Sequence, residues 1–228
     1  MILFFSSAGV VWLGRTWHTF EEGHAVLTRE ALRRWGGQLP DGIDAQRIIL
    51  GNQRMDMPHK RADGSISPVG LALALLQAQT LPKYQHAMRQ PWNHPTRNLH
   101  RVPASLRARL RSAMTTTDPP QASEYFGNAL HTLQDSYTRS HAQRLDPTDP
   151  YSPLCRLHYS PSKAHPLISP DDRVWADAEA TQLKPEAEAA IQATLAAFEL
   201  FTQHWRGDDK AITDGINAFV ARYVPVMR

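Results

Sequence analysis

Between Gly127 and Arg144 the chain reads GNALHTLQDSYTRSHAQR, and the side chains of His131, Asp135 and His141 within it are types that bind divalent metals. His131 and Asp135 stand four apart in an apolar, helix-forming context. At ~100° per residue, positions i and i+4 of a helix project from nearly the same face, so an imidazole and a carboxylate there can close on one ion. His141 follows six residues after Asp135. On a continuing helix it points ~240° further round, toward a second ion or past a kink. A bare His-x-x-x-Asp pair on a helix surface is worth only about 0.2–0.5 kcal/mol as a side-chain contact. Gly127, Ala129, Leu130 and Leu133, however, mark this helix as buried, and a buried aspartate without a cation or donors is costly. The pattern points to metal chemistry.

Histidine is the unusual entry in the composition, with eleven in 228 residues. It is also the commonest metal-ligating side chain. Cys155 is the sole cysteine, which excludes a disulfide framework and a thiolate zinc site. Any zinc must then be held by imidazoles and carboxylates, a donor set typical of catalytic sites. The 25 basic and 22 acidic residues give a net charge of +3, too small for a nucleic-acid-binding tail but compatible with phosphate-bearing substrates. At 42% hydrophobic and 21% charged, the chain has the make-up of an ordinary globular protein, and its length fits one domain. The opening stretch MILFFSSAGVVWLG is too short to span a bilayer and lacks a basic start, leaving residues 1–16 as a leader or a buried first segment.

Helical patterns dominate the elements that must position these ligands. Thr19-Phe20-Glu21-Glu22 reads as a capping box opening a helix from about Phe20 to Trp35, ended by Gly36-Gly37. His24, Leu27, Thr28, Ala31 and Trp35 share one face of it. Residues 70–80 (GLALALLQAQT) read as a buried helix stopped by Leu81-Pro82. Residues 105–114 form a short basic helix whose Arg107, Arg109 and Arg111 read as a solvated face. Ser123 is placed to cap the central helix. Residues 145–170, rich in Pro, Ser and Asp, read as a long ordered loop. Pro185 opens a helix to Trp205 closed by Gly207, and a last helix spans about Asp209 to Tyr223. Convincing alternating strands are absent, so the expected fold is all-α: a single-domain multi-helix bundle.

The run FGNALHTLQDSYTRSHAQR resembles the hallmark of the zinc-dependent phospholipase C and S1/P1 nuclease superfamily, a His-x3-Asp-x5-His run on a buried helix. Members are all-α hydrolases of phosphate esters built around a trinuclear zinc cluster. Gly23-His24-Ala25-Val26-Leu27-Thr28 is similar to the family's early histidine on its first long helix. Asp56, in GNQRMDMP, resembles an aspartate found after the second helix, and His86 falls where a further histidine is expected. The resemblance implies two or three zinc ions. Asp56, His86, His131 and Asp135 would hold one; His24 and Asp135 a second, with Asp135 bridging; His141 would begin a third with a later histidine and an acid. Family members also use an N-terminal Trp backbone as a ligand, a part Trp17 would take if the chain were cut before it. Otherwise His18 would replace it. For the last pair, His165 with Asp171 or Asp172 is preferred to His158, because an acidic pair follows His165. His100 is the reserve for His86.

Phosphodiesters repel anionic nucleophiles, and zinc answers this by lowering the pKa of water to ~7 and clamping the attacking and leaving oxygens. Asp56 is the candidate to orient that water as a general base. The expected substrate is a phospholipid headgroup bond, with choline- and ethanolamine-bearing substrates ahead of single-stranded DNA or RNA. Phe4, Phe5, Val10, Val11 and Trp12 are the candidate membrane-surface rim. A single-strand nuclease, or a non-catalytic protein stabilised by zinc, is the alternative. Secretion, a periplasmic location or delivery outside the cell is favoured over the cytoplasm.

Overall fold

The computed structural model describes the backbone of residues 3–5, 8–13, 16–19 and 83, and the whole of residues 23–56, 59–61, 63, 65–70, 84–89, 93–139, 141–158 and 184–227. The fold is mainly helical, as the sequence leads one to expect. Its axis is α4, Pro119–Asp135, the His131/Asp135 helix. Asp118 caps it, accepting from the Gln121 N–H at 3.2 Å. Proline is tolerated only in a helix's first turn, so Pro119 and Pro120 fix the start just ahead of themselves. Ser123 therefore lies inside the helix and does not cap it. Its hydroxyl donates to Pro119 O at 2.8 Å and accepts from Asp44 N–H at 3.0 Å.

Around α4 pack α1 (Gly23–Trp35), α2 (Ala45–Arg54), α3 (Arg101–Thr115) and α5 (Pro185–His204), while α6 (Asp209–Tyr223) lies against α3 and α5. Phe126 of α4 stacks on Phe201 of α5 with ring centroids 4.3 Å apart and meets Phe198 edge-on at 5.3 Å. Trp35 of α1 stacks on Phe198 from the other side. His24, Leu27, Thr28 and Ala31 are all buried, so the apolar face read for α1 is the one it presents inward. Burying several such aromatic and aliphatic side chains, at about 1.5–3 kcal/mol each, supplies the main driving force for folding.

The crossing of α2 over α4 is closer than side chains allow. A Cβ on Gly127 would lie 2.1 Å from Ile48 O and 2.7 Å from Asn52 N, and one on Gly51 would lie 2.3 Å from Glu124 O. Glycine at both positions lets backbone meet backbone. This brings the end of α2, with Asn52 and then Asp56, onto the His131 face of α4.

Strands are present where none were read. β1 (Leu3–Phe5), β2 (Ala8–Leu13), β3 (Thr16–Thr19) and β4 (Ser65–Ile66) form an antiparallel sheet in that order. The apolar opening segment thus supplies sheet strands, and position 16 begins β3. Trp17 pairs with Trp12 on one side and Ile66 on the other. Thr19 closes β3 and the described part of α1 begins at Gly23; Phe20, Glu21 and Glu22 of the capping box lie outside the described residues. Within the segment read as a loop, β6 (Leu154–Leu157) pairs antiparallel with β5 (Ala142–Arg144). The helix read over 70–80 lies outside the described residues except for Gly70. Among the described residues no helix is long and apolar enough to cross a membrane.

Candidate metal centre

Five imidazole and carboxylate side chains from four places in the chain meet at the C-terminal half of α4. His131 and Asp135 come from α4 itself, His86 from a 3-10 turn at Lys83–His86, Asp56 from just beyond α2, and His24 from the first turn of α1. His86 Nδ1 lies 3.0 Å from His131 Nε2, 3.3 Å from Asp135 Oδ2 and 3.5 Å from Asp56 Oδ1. His131 Nε2 lies 3.0 Å from Asp135 Oδ2 and 3.6 Å from Asp56 Oδ1. An ion bound tetrahedrally at 2.0–2.1 Å holds its ligand atoms about 3.3 Å apart. The separations among His86, His131 and Asp135 are close to one face of such a tetrahedron, with Asp56 Oδ1 beside two of its corners.

The other carboxylate oxygen of Asp135 faces a second pair of imidazoles. Its Oδ1 is 3.1 Å from His24 Nε2 and 2.8 Å from His141 Nδ1. One buried carboxylate is therefore shared between two groups of histidines. His141 does not project away from the His131/Asp135 face. The helix stops at Asp135, where Ser136 turns its hydroxyl back onto Leu133 O at 2.6 Å, and the turn that follows reverses the chain. Arg144 locks the reversal in place. Its guanidinium donates to Ser136 O, Ser152 O and Tyr223 O and lies 3.7 Å from the centre of the Tyr137 ring.

A layer of amides and hydroxyls behind the ligands fixes which ring nitrogen faces the centre. Asn52 Nδ2 donates to Thr28 Oγ1 at 2.9 Å and to Gln134 Oε1 at 3.1 Å, which leaves Asn52 Oδ1 as the acceptor for His131 Nδ1–H at 3.1 Å. Gln134 Oε1 likewise accepts from His24 Nδ1–H at 3.0 Å, while its Nε2 donates to Thr28 Oγ1. Both rings thereby present Nε2 to Asp135, and in His131, which stays neutral, that nitrogen carries a lone pair. A lone pair facing a carboxylate at 3 Å is repulsive unless a proton or a metal ion stands between them. Asp135 Oδ2 is also fully buried and finds no hydrogen-bond donor of acceptable geometry among the described residues. The donor set fits a metal ion.

Electrostatics reinforce the geometry. Burial acts against the charge of Asp135, but His141, His131 and His24 outweigh it and hold the carboxyl well below its ordinary range. Asp56 is lowered too, with burial opposed by His131, His86 and His24. Burial holds the His131 ring neutral, as a ligand must be. At His24 burial is opposed by Asp135 and Asp56, and the ring is raised to about 9. An ion must therefore displace a proton from His24 Nε2 at neutral pH. Zinc added to chelator-treated protein at pH 7.5 is expected to release at least one proton, and its affinity to rise as pH climbs toward 9. Calorimetry in buffers of differing ionisation enthalpy measures this; binding with no proton release would contradict the assignment of His24.

Of the remaining candidates, His165, Asp171 and Asp172 lie outside the described residues. His158 is pinned by its backbone beside His141, donating from N–H to His141 O at 2.8 Å. His94 is an exposed partner of Thr96, and His100 is exposed at the start of α3. Tyr137 is buried, with its hydroxyl shared between Pro150 O at 2.7 Å and Tyr223 O at 3.0 Å. Cys155 is partly exposed, with its thiol on Gln143 O. Asn52, Thr28, Gln134 and Thr194, whose hydroxyl lies 3.4 Å from Gln134 Nε2, are functional residues that pattern reading missed. The one available signal was a Gln directly preceding the Asp in the stretch of the helix marked as buried by Gly127, Ala129, Leu130 and Leu133.

What fold and centre define is a helical protein with a buried histidine–aspartate cluster able to hold a metal ion. No protein-family model, curated protein or solved structure matches the chain. The resemblance to zinc hydrolases accordingly rests on the residues and their placement.

Proposed function

We propose that the protein is a zinc-dependent phosphodiester hydrolase of the phospholipase C type, acting on a phospholipid headgroup bond outside the cytoplasm. The observation that carries this reading is the set of five ligand-atom separations of 3.0–3.6 Å joining Asp56, His86, His131 and Asp135. Imidazole-rich donors with carboxylates and no thiolate suit zinc; calcium and magnesium prefer all-oxygen shells. Zinc bound there supplies positive charge to the phosphoryl oxygens and a water acidic enough to ionise near neutral pH.

The chain's own residues divide the remaining work. His131 and Asp135 are fully buried and serve as fixed ligands, whereas Asp56 and His86 retain side-chain exposures of 18% and 12%. Substrate must therefore approach over Asp56 and His86. Asp56, kept ionised by the neighbouring imidazoles, is the group to which this reading gives the task of orienting the attacking water and taking its proton. Asp135 neutralises the excess positive charge of a centre holding more than one ion.

Hydrolysis of a phosphodiester by the purified protein is expected to vanish on chelation and return with zinc. Headgroup release from phospholipid vesicles and turnover of p-nitrophenyl phosphorylcholine are the first measurements, with single-stranded DNA as comparison. Zinc-loaded protein that hydrolyses none of these would sink the proposal. Strong DNA digestion without headgroup release would instead make it a nuclease.

A further inference from the structure

Arg109 is the odd member of the basic face of α3. Arg107 and Arg111 reach α6, where Arg107 Nε donates to Asn217 Oδ1 at 3.0 Å and Arg111 pairs with Asp209 at 2.5 Å. A residue two positions away on a helix points ~200° round, so Arg109 turns inward instead. Its guanidinium offers five donors, yet its hydrogen bond among the described residues is to Met55 Sδ at 3.3 Å, a thioether and a weak acceptor. No carboxylate of the described residues pairs with it. Burial acts against its charge, which lowers its pKa. Arg109 is half-buried, and its remaining donors face the groove, where an anion could receive them.

The space in front of it is a groove of about 390 Å³ between α3 and α4, with Gln85, Ser105, Ser112, Tyr125 and Asn128 also on its walls. With the exception of Ala108, which completes the lining, these side chains can hydrogen-bond and suit an oxyanion or a polyol. The groove shares its wall with the metal centre. Met55 precedes Asp56, Gln85 precedes His86 and anchors α4 through its carbonyl on Thr132 Oγ1 at 2.7 Å, and Asn128 sits one turn before His131. Asp56 and His86 are the side from which substrate must enter.

We propose that this groove is a second phosphate site, in which Arg109 holds a further phosphate carried on the same hydroxylated group as the scissile diester. The inference rests on the hydrolase reading and narrows its substrate. A guanidinium here favours a phosphorylated headgroup or a nucleotide and disfavours the ammonium of choline or ethanolamine. A forked guanidinium grips phosphate with paired charge-assisted hydrogen bonds, which a point charge does less well.

The test is equilibrium binding to the zinc-loaded full chain by calorimetry, with two ligand pairs. One is thymidine 3′,5′-bisphosphate against thymidine 5′-monophosphate; the other is inositol 1,4-bisphosphate against inositol 1-phosphate, and none of the four contains a diester to hydrolyse. The extra phosphate is expected to tighten binding about tenfold or more in at least one pair, and that pair identifies the source of the phosphate. Arg109→Gln should bring the ratio close to one, and Arg109→Lys should keep part of it. Asn128→Asp, which adds an anion to the groove wall, should also abolish the preference and guards against a fold effect at Arg109. A ratio near one for both pairs in the unaltered protein, or one that survives in Arg109→Gln, overturns the proposal. Because binding is read without turnover, loss of the phosphate preference is distinguishable from failure of the hydrolase reading, which shows as absent hydrolysis of every diester.

Discussion

Asp135→Asn is expected to weaken metal binding at both groups of histidines at once and to reduce the proposed phosphodiester hydrolysis by about 10²–10³-fold, the scale on which losing a principal charge-stabilising group is felt. Its two oxygens face different imidazole pairs, Oδ2 toward His86 and His131 and Oδ1 toward His24 and His141. An amide keeps the shape but offers one neutral oxygen, so one pair must lose its ligand and the other keeps a weaker one. Zinc per chain, measured by elemental analysis, should fall from two or more to at most one. The rise in Tm that zinc gives the unaltered protein should shrink with it, since that rise reports binding to the folded state alone. Helical content by circular dichroism should be unchanged, because Asp135 ends α4 without building its core. An unchanged metal count would mean that Asp135 does not bridge.

The same carboxylate shows what the sequence could and could not reveal. The i, i+4 spacing of His131 and Asp135 is a local property of one helix, and it was legible. The direction of His141 was not, because it depends on where that helix stops. Ser136 and Thr138 are modest helix formers whose hydroxyls compete for backbone partners, and the stop at Asp135 turns a ~240° divergence into a 2.8 Å contact. The boundaries of α5 and α6 were legible from Pro185 and Gly207, where starts and breakers speak locally. Strands of two to six residues such as β4, β2 and β6 are too short to establish a period of two, and their pairing is a long-range fact. Asn52, Gln134 and Arg109 were missed for a common reason. Polar residues are expected outside, and only the packed structure shows that these three are turned toward the centre or the groove beside it.

Packing also supplies the second large effect, at a position where two principles disagree in sign. An alanine in mid-helix is ordinarily better than glycine by about 1 kcal/mol, so propensity alone makes Gly127→Ala stabilising. At this crossing the added methyl would meet Ile48 O at 2.1 Å, Asn52 N at 2.7 Å and Gly51 C at 3.0 Å. All three are backbone atoms and have no rotamer to retreat into, so α2 must move off α4. Overpacking of this kind costs about 1–3 kcal/mol where side chains can yield, and here the upper end or more applies. The clash outweighs propensity. Gly127→Ala is expected to lower stability by about 3 kcal/mol, or about 6–12 °C in Tm for a chain of this length. The shift also lifts Asn52 from His131 Nδ1 and Asp56 from His86, so zinc affinity should fall by about 10–100-fold, as when a supporting hydrogen bond to a ligand is lost. Gly215→Ala in α6 is the control. Its methyl meets the tip of the His204 ring at 2.8 Å and a Leu200 methyl at 3.1 Å, side-chain atoms that can rotate aside. Stability there should be unchanged or slightly higher, and zinc affinity unaffected. Denaturant titration of the chelated proteins and zinc titration of the refolded ones separate the two outcomes. Gly127→Ala behaving like Gly215→Ala would mean that α2 does not need its glycine crossing to deliver Asp56 and Asn52 to the centre.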